Sequence, residues 1–138
     1  MKIYDYKIKI RLKKDTNISK GDFKADLRNY LKRPLGYKPD IYIEKKDINV
    51  FLDLLEDWED INDYDFINDV DTIQNLITNA DLYKHIDTID FYLSITDPDW
   101  GNNELNLLRH VDNNDQPNDI KALREKLNLD NLLSSFND

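Results

Sequence analysis

Cysteine is absent from this sequence, and only three glycines and four prolines occur in 138 residues. Without cysteine there are no disulfide bonds, no thiol chemistry and no cysteine-containing zinc site. So few glycines leave little room for phosphate-binding loops, and neither GxGxxG nor GxxxxGK[ST] occurs. The serines lack a GxSxG context, so the sequence does not indicate a nucleophilic hydrolase.

Long apolar runs are also absent, since no stretch reaches the roughly eighteen residues that a membrane-spanning helix needs. The first residues, MKIYDYKIKI, alternate in polarity instead of forming an apolar signal-peptide core. We therefore expect a cytoplasmic protein without a membrane partner. A chain of this length can bury a core of its own, which predicts a single α+β domain over residues 1–138.

Lysine and arginine are absent from residues 47–83, which hold eleven acidic residues. The net charge of −9 conceals a division along the chain. Residues 1–48 carry fourteen Lys or Arg against seven acids, and residues 49–138 carry five against twenty-one. Such asymmetry is typical of proteins with charged partners. The alternatives are that the two parts neutralise each other in the fold, or that the aspartate richness is mutational.

The spacing of apolar residues predicts the secondary structure. Alternation predicts strands at 4–13, 40–46, 88–96 and 105–111, the last two as a hairpin, with a helix as the alternative for 105–111. Helical spacing predicts a helix from the candidate N-cap Ser19 to about Arg33, before Pro34 and Gly36. It also predicts helices from Asp47 to Asp60 and from 66 to 79, a short turn at 81–86, and one broken helix or two short ones over 120–136.

The predicted fold class is therefore α+β, in the order β-α-β-α-α-β-β-α. We expect a mixed or antiparallel sheet of about four strands, with the helices mainly on one face. A ferredoxin-like core is one topology that this order allows.

The predicted helix from Asp47 separates apolar from acidic side chains. Phe51, Leu54, Leu55 and Trp58 fill one side, and Asp53, Glu56, Asp57 and Asp60 fill the opposite side. Those carboxylates would recur about every 3 Å along the helix, close to the roughly 3.4 Å phosphate spacing of one DNA strand. A solvated surface is the alternative. The candidate partner-binding residues are Asp53, Glu56, Asp57, Asp60, Asp63, Asp65 and Trp100, the last as an aromatic anchor on a polar loop.

These features favour a small acidic binding protein, not an enzyme, that occupies the basic surface of a partner such as a nuclease. Its sharpest form is an inhibitor that mimics nucleic acid, either an immunity protein or a phage- or plasmid-encoded anti-defence protein. One alternative is direct nucleic-acid binding, which the net charge opposes. It would use Lys7, Lys9, Arg11 and Lys13 of the first strand and Lys24, Arg28 and Lys32 of the first helix. Another alternative is a subunit of a larger assembly, and the sequence leaves the oligomeric state open.

Both histidines precede an aspartate by two residues, His85 before Asp87 and His110 before Asp112. A histidine beside a carboxylate can bind a metal or share a proton. Aspartate is so common in this chain that the coincidence is weak, and we expect neither a metal nor a cofactor.

The Asp and Asn runs do not form an EF-hand, which needs Gly at its sixth position and Glu at its twelfth. Loops that begin at Asp60 or Asp97 place neither residue there. An irregular calcium loop at Asp97, Asp99 and Glu104 is the alternative.

Overall fold

A computed structural model describes residues 2–56 and 60–113 of the chain. The elements are β1 (Ile3–Leu12), α1 (Lys20–Leu35), β2 (Asp40–Glu44), β3 (Asp47–Asp53), α2 (Phe66–Thr78), β4 (Ile86–Asp97) and β5 (Asn102–Asp112). Single 3-10 turns cover Ile61–Asp63 and Asp81–His85. Asp57, Trp58 and the helix predicted over 120–136 lie outside the described residues. No helix within the described ranges is long and apolar enough to cross a membrane.

The strands form one sheet in the order β2-β3-β1-β4-β5, and every neighbouring pair is antiparallel. From β1 to β4 the chain runs β-α-β-β-α-β, which is the split arrangement called ferredoxin-like, and β5 extends the sheet as a hairpin. The predicted α+β class is confirmed. The sheet has five strands instead of about four because β3 replaces a predicted helix.

The central strand β1 has one face in the core and one face turned away from it. Tyr6, Ile8 and Ile10 are each at most 1% exposed and belong to the core, together with Leu27 of α1 and Ile73 of α2. Because strand side chains alternate, the intervening residues of β1 lie on the opposite face. Among the described residues, α1 and α2 both pack on the side of Tyr6, Ile8 and Ile10, and we call the side opposite them the open face.

The ends of α1 follow the predicted capping. Ser19 Oγ accepts a hydrogen bond from the Asp22 backbone N–H at 3.1 Å. The helix continues two residues past the predicted end, through Pro34 to Leu35, and stops at Gly36, whose φ of 80° is left-handed. Glycine adopts that conformation without strain, and its N–H closes the helix on the Lys32 carbonyl.

The predicted helix from Asp47 is wrong, because Asp47–Asp53 is strand β3. Ile48, Val50 and Leu52 alternate into the core, each at most 2% exposed. Residues 45–46 form a two-residue turn in which Lys45 has a φ of 56°, and this turn pairs β3 with β2. Pairing of β3 with β1 on its other edge places it inside the sheet, where a helix cannot form the ladder.

Candidate partner-binding surface

The register of the five strands maps the charges of the open face. Paired residues of neighbouring strands share a face, so the residues beside Asp5, Lys7, Lys9 and Arg11 can be assigned to it. Among the residues of the five strands, seven carboxylates lie on this face against three Lys or Arg side chains. The acids are Asp5, Asp40, Glu44, Asp47, Asp53, Asp90 and Asp112, and the bases are Lys7, Lys9 and Arg11. The basic strip predicted on the first strand is therefore set in an acidic surface.

Three of the four cations of that strip have partners within the fold, and the fourth, Lys13, lies just past the end of β1. Arg11 Nε lies 3.1 Å from Asp47 Oδ1. The Lys7 and Lys9 ammonium groups lie 5.9 and 5.8 Å from the ring centroids of Phe51 and Tyr92. The basic and acidic parts thus meet on β1 and β3, although the acids remain in excess.

The structure brings most of the predicted partner-binding residues to one end of the sheet. Asp53 ends β3 and is paired with Asp5 near the start of β1, and β4 ends on the other side of β1, with Thr96 paired to Ile3. Trp100, 78% exposed, lies in the β4–β5 turn beyond that end of the sheet. Strand β4 is two strand intervals, about 10 Å, from β3. We call this end of the sheet the acidic end.

The chain beyond Asp53 stays at the acidic end. Tyr64 and Phe66 lie beside the start of β1, since the Phe66 ring centroid is 6.4 Å from that of Tyr4. Residues 53–65, which we call the acidic segment, therefore leave the sheet and return to it at the same end. Its predicted acids that the structure describes are all exposed: Asp53, Glu56, Asp60, Asp63 and Asp65.

Two of these acids also have structural roles. Asp60 Oδ1 accepts from the Asn62 N–H and caps the 3-10 turn, and Asp65 Oδ1 accepts from the Asn68 N–H and caps α2. Because Asp53 lies in a strand, the carboxylates do not repeat along one helix. The argument from phosphate spacing is therefore wrong, and what remains is a dense group of exposed charges.

The acidic segment is held to the rest of the fold by hydrogen bonds to Asp69, a residue that the sequence patterns did not single out. Asp69 is 2% exposed, and its Oδ2 accepts from the hydroxyls of Tyr6 and Tyr64, both at 2.6 Å, and from the Leu55 N–H at 3.2 Å. The Tyr64 oxygen accepts in turn from the Glu56 N–H at 3.0 Å. Asp69 thus positions the start of the acidic segment. Its place on the apolar stripe of α2, between Phe66 and Val70, was the signal that it is buried.

The tyrosines of this cluster are held in their neutral form. Burial, and then the hydrogen bond to Asp69, raise the pKa of Tyr64 to about 12. The same causes raise the pKa of Tyr6 far above its ordinary value. Both tyrosine hydroxyls therefore remain hydrogen-bond donors to Asp69 throughout the neutral range, so the Asp69 cluster keeps its hydrogen bonds at neutral pH.

Two carboxylates lie side by side at the acidic end. Asp5 and Asp53 are directly paired across β1 and β3. Burial, and then the negative charge of Asp53, raise the pKa of the Asp5 carboxyl above its ordinary value. Because the pKa of Asp5 is higher in the folded state, folding favours its protonated carboxyl. This stabilising contribution is present at low pH and is lost as the pH rises through the folded-state pKa. At neutral pH, ionised Asp5 is consequently destabilising.

We expect the substitution Asp5→Asn to raise the free energy of unfolding at pH 7. The gain should stay below about 1 kcal/mol, because the half-buried carboxylate is screened by solvent. The gain should disappear below about pH 3, where the protonated aspartic acid of the wild type is uncharged, like the asparagine of the variant. Urea unfolding at the two pH values measures this, with Asp26→Asn on the exposed side of α1 as the control. A gain at Asp26 equal to that at Asp5 would contradict the account.

Each histidine has a polar contact on a neighbouring part of the fold. His110 Nδ1 lies 2.5 Å from Asp90 Oδ1 on β4. His85 ends a 3-10 turn, and its Nδ1 contacts the Thr16 hydroxyl. Within residues 2–56 and 60–113, no group of three or more His, Asp or Glu side chains is arranged to hold a metal ion.

The surface as a whole combines an anchored acidic segment, a carboxylate pair and an exposed tryptophan at one end of the sheet. An exposed tryptophan is a residue type that often anchors an interface, and concentrated charge of one sign steers oppositely charged partners. Comparison of the chain with protein-family models, curated proteins and solved structures finds no match.

Proposed function

We propose that this chain is a small protein-binding module that occupies a basic surface of a partner protein, of the type that binds nucleic acid. In its sharpest form it is a cytoplasmic inhibitor that takes the place of nucleic acid, as an immunity or anti-defence protein would. The acidic segment supplies the charge, and Trp100 supplies an aromatic anchor at the same end of the sheet. The association of such surfaces is steered by their opposite charges.

The observation that carries the proposal is the convergence of exposed carboxylates on one end of the sheet. Asp53, Glu56 and Asp63 are exposed there, and neither Lys nor Arg occurs anywhere in residues 53–65. The Asp5–Asp53 pair adds charge at a destabilising position. A cationic partner would relieve the repulsion between these two carboxylates.

The test is partner capture with charge reversals that leave the helix caps intact. Glu56→Lys combined with Asp63→Lys should weaken binding of the partner captured from the native host roughly tenfold or more. The control combines Asp26→Lys with Asp81→Lys, which changes the net charge equally at residues of α1 and of the turn before β4. If both variants bind equally well, the acidic segment is not the binding surface.

One observation favours a second candidate, direct binding of single-stranded nucleic acid. The open face places Lys7 and Lys9 beside the rings of Phe51 and Tyr92, which is the combination that stacks bases and contacts phosphates. The seven carboxylates of the same face oppose it. A gel shift at low salt separates the two, because the protein-binding proposal predicts no shifted band with DNA or RNA.

A further inference from the structure

A cleft of about 530 Å³ opens on the open face beside the Asp5–Asp53 pair. Its walls include three carboxylates and three aromatic rings, those of Asp5, Asp40, Asp53, Tyr37, Tyr42 and Phe51. One cation, Lys38, also lines it. The acids therefore outnumber the bases three to one in a space large enough for a long side chain.

The aromatic walls are ordered by contacts within the fold. The rings of Tyr42 and Phe51 meet edge to face, with centroids 5.6 Å apart. The Tyr37 hydroxyl accepts from the Asp53 N–H at 3.1 Å, which ties the loop after α1 to the end of β3. Tyr42 is nevertheless 58% exposed, so much of its surface is open to an incoming group.

The carboxylates and aromatic rings that line the cleft favour a guanidinium group over an ammonium group. A guanidinium group is planar, stacks on aromatic rings and donates hydrogen bonds in a fork that suits carboxylates. An ammonium group is a compact point charge that gains less from two rings and a pair of carboxylates. Phe51 already has the Lys7 ammonium 5.9 Å from its centroid, which shows that a cation is accommodated beside this ring.

We propose that this cleft receives an arginine side chain from a basic segment of the partner, which docks on the open face next to the acidic end. The inference rests on the proposed function and adds where the partner's arginine enters. The partner is a protein and not a nucleic acid, because the carboxylates of the cleft repel phosphates. Charge complementarity and the exposed rings together define the docking surface.

The test uses the full ¹⁵N-labelled chain and three synthetic peptides of equal length: oligo-arginine, oligo-lysine and oligo-glutamate. We expect oligo-arginine to shift the amide signals of Tyr42, Phe51 and Asp53, and to bind more tightly than oligo-lysine. Tyr42→Ala should weaken oligo-arginine binding about three- to tenfold and oligo-lysine binding less. Asp53→Asn should weaken both, whereas Asp26→Asn should weaken neither. Oligo-glutamate should not bind.

Several outcomes would overturn the inference. Amide shifts centred on the acidic residues of the helices, and not on the cleft, would contradict an arginine-binding cleft. Equal affinity for the arginine and lysine peptides would contradict it as well. Shifts of the same amides by oligothymidylate would replace the protein partner by a nucleic acid, and shifts that follow protein concentration alone would indicate a second copy.

The outcomes also separate this inference from the proposed function. If Glu56→Lys with Asp63→Lys abolishes partner capture while Tyr42→Ala leaves oligo-arginine binding unchanged, the cleft is wrong and the proposed function stands. If no basic peptide binds any part of the chain at low salt, both are wrong.

Discussion

Replacing Asp69 by alanine is expected to lower the free energy of unfolding by about 3 to 5 kcal/mol. The substitution leaves three donors, the Tyr6 and Tyr64 hydroxyls and the Leu55 N–H, without the carboxylate oxygen that they share. Tyr6 is 1% exposed, so water cannot reach its hydroxyl without opening the core. Urea unfolding followed by circular dichroism measures the loss.

Asp71 provides the matched control on the same helix. Its carboxylate lies 2.6 Å from Arg109 Nη1 but is 55% exposed, so Asp71→Ala should cost less than about 1 kcal/mol. Equal losses at the two positions would show that the Asp69 cluster does not hold the fold together. A large loss at Asp69 alone would confirm that the acidic segment is fastened through the core.

The second large effect distinguishes a strand from a helix at residues 47–53. Val50 is fully buried, so Val50→Asn should cost about 3 to 4 kcal/mol by placing an amide in the core. Phe51 lies half-buried on the open face, so Phe51→Asn should cost only about 1 kcal/mol. Denaturant unfolding of the two variants, side by side, is the measurement.

The helix predicted from the sequence would reverse this order, because it places Phe51 on the apolar stripe. A larger loss at Phe51 than at Val50 would therefore contradict the strand. The comparison needs no further control, since both substitutions introduce the same residue at neighbouring positions.

Most elements could be predicted because their patterns are unambiguous and local. Alternation along β1 and the Ser19 cap of α1 depend on residues close in sequence, and both predictions are confirmed. The apolar residues of 47–55 fit both the two-residue period of a strand and the roughly 3.6-residue period of a helix. Ile48, Val50 and Leu52 alternate, while Phe51, Leu54 and Leu55 fit a helix. Pairing with β1, which is distant in the chain, decides between them.

The candidate surface was only partly predictable for the same reason. The acidic residues were visible as a run, and their exposure is confirmed at the five described positions. The neighbourhood of Asp5 and Asp53 depends on strand order, which no local pattern contains. The cleft likewise needs α1, β2 and β3 to be in place. Sequence patterns thus locate charges along the chain, and topology decides which charges meet.

The central claim is that charge at the acidic end steers this chain onto a basic partner. Its most direct test is the association rate of the captured partner, measured at low salt and at about 1 M salt. At the higher concentration the Debye length is only roughly 3 Å, so charges on the two proteins no longer attract each other at a distance. The account predicts that salt slows association roughly tenfold or more for the wild type and for the Asp26→Lys, Asp81→Lys control. The Glu56→Lys, Asp63→Lys variant should already associate slowly at low salt. A rate that is insensitive to salt, or equal for both variants, would contradict the account.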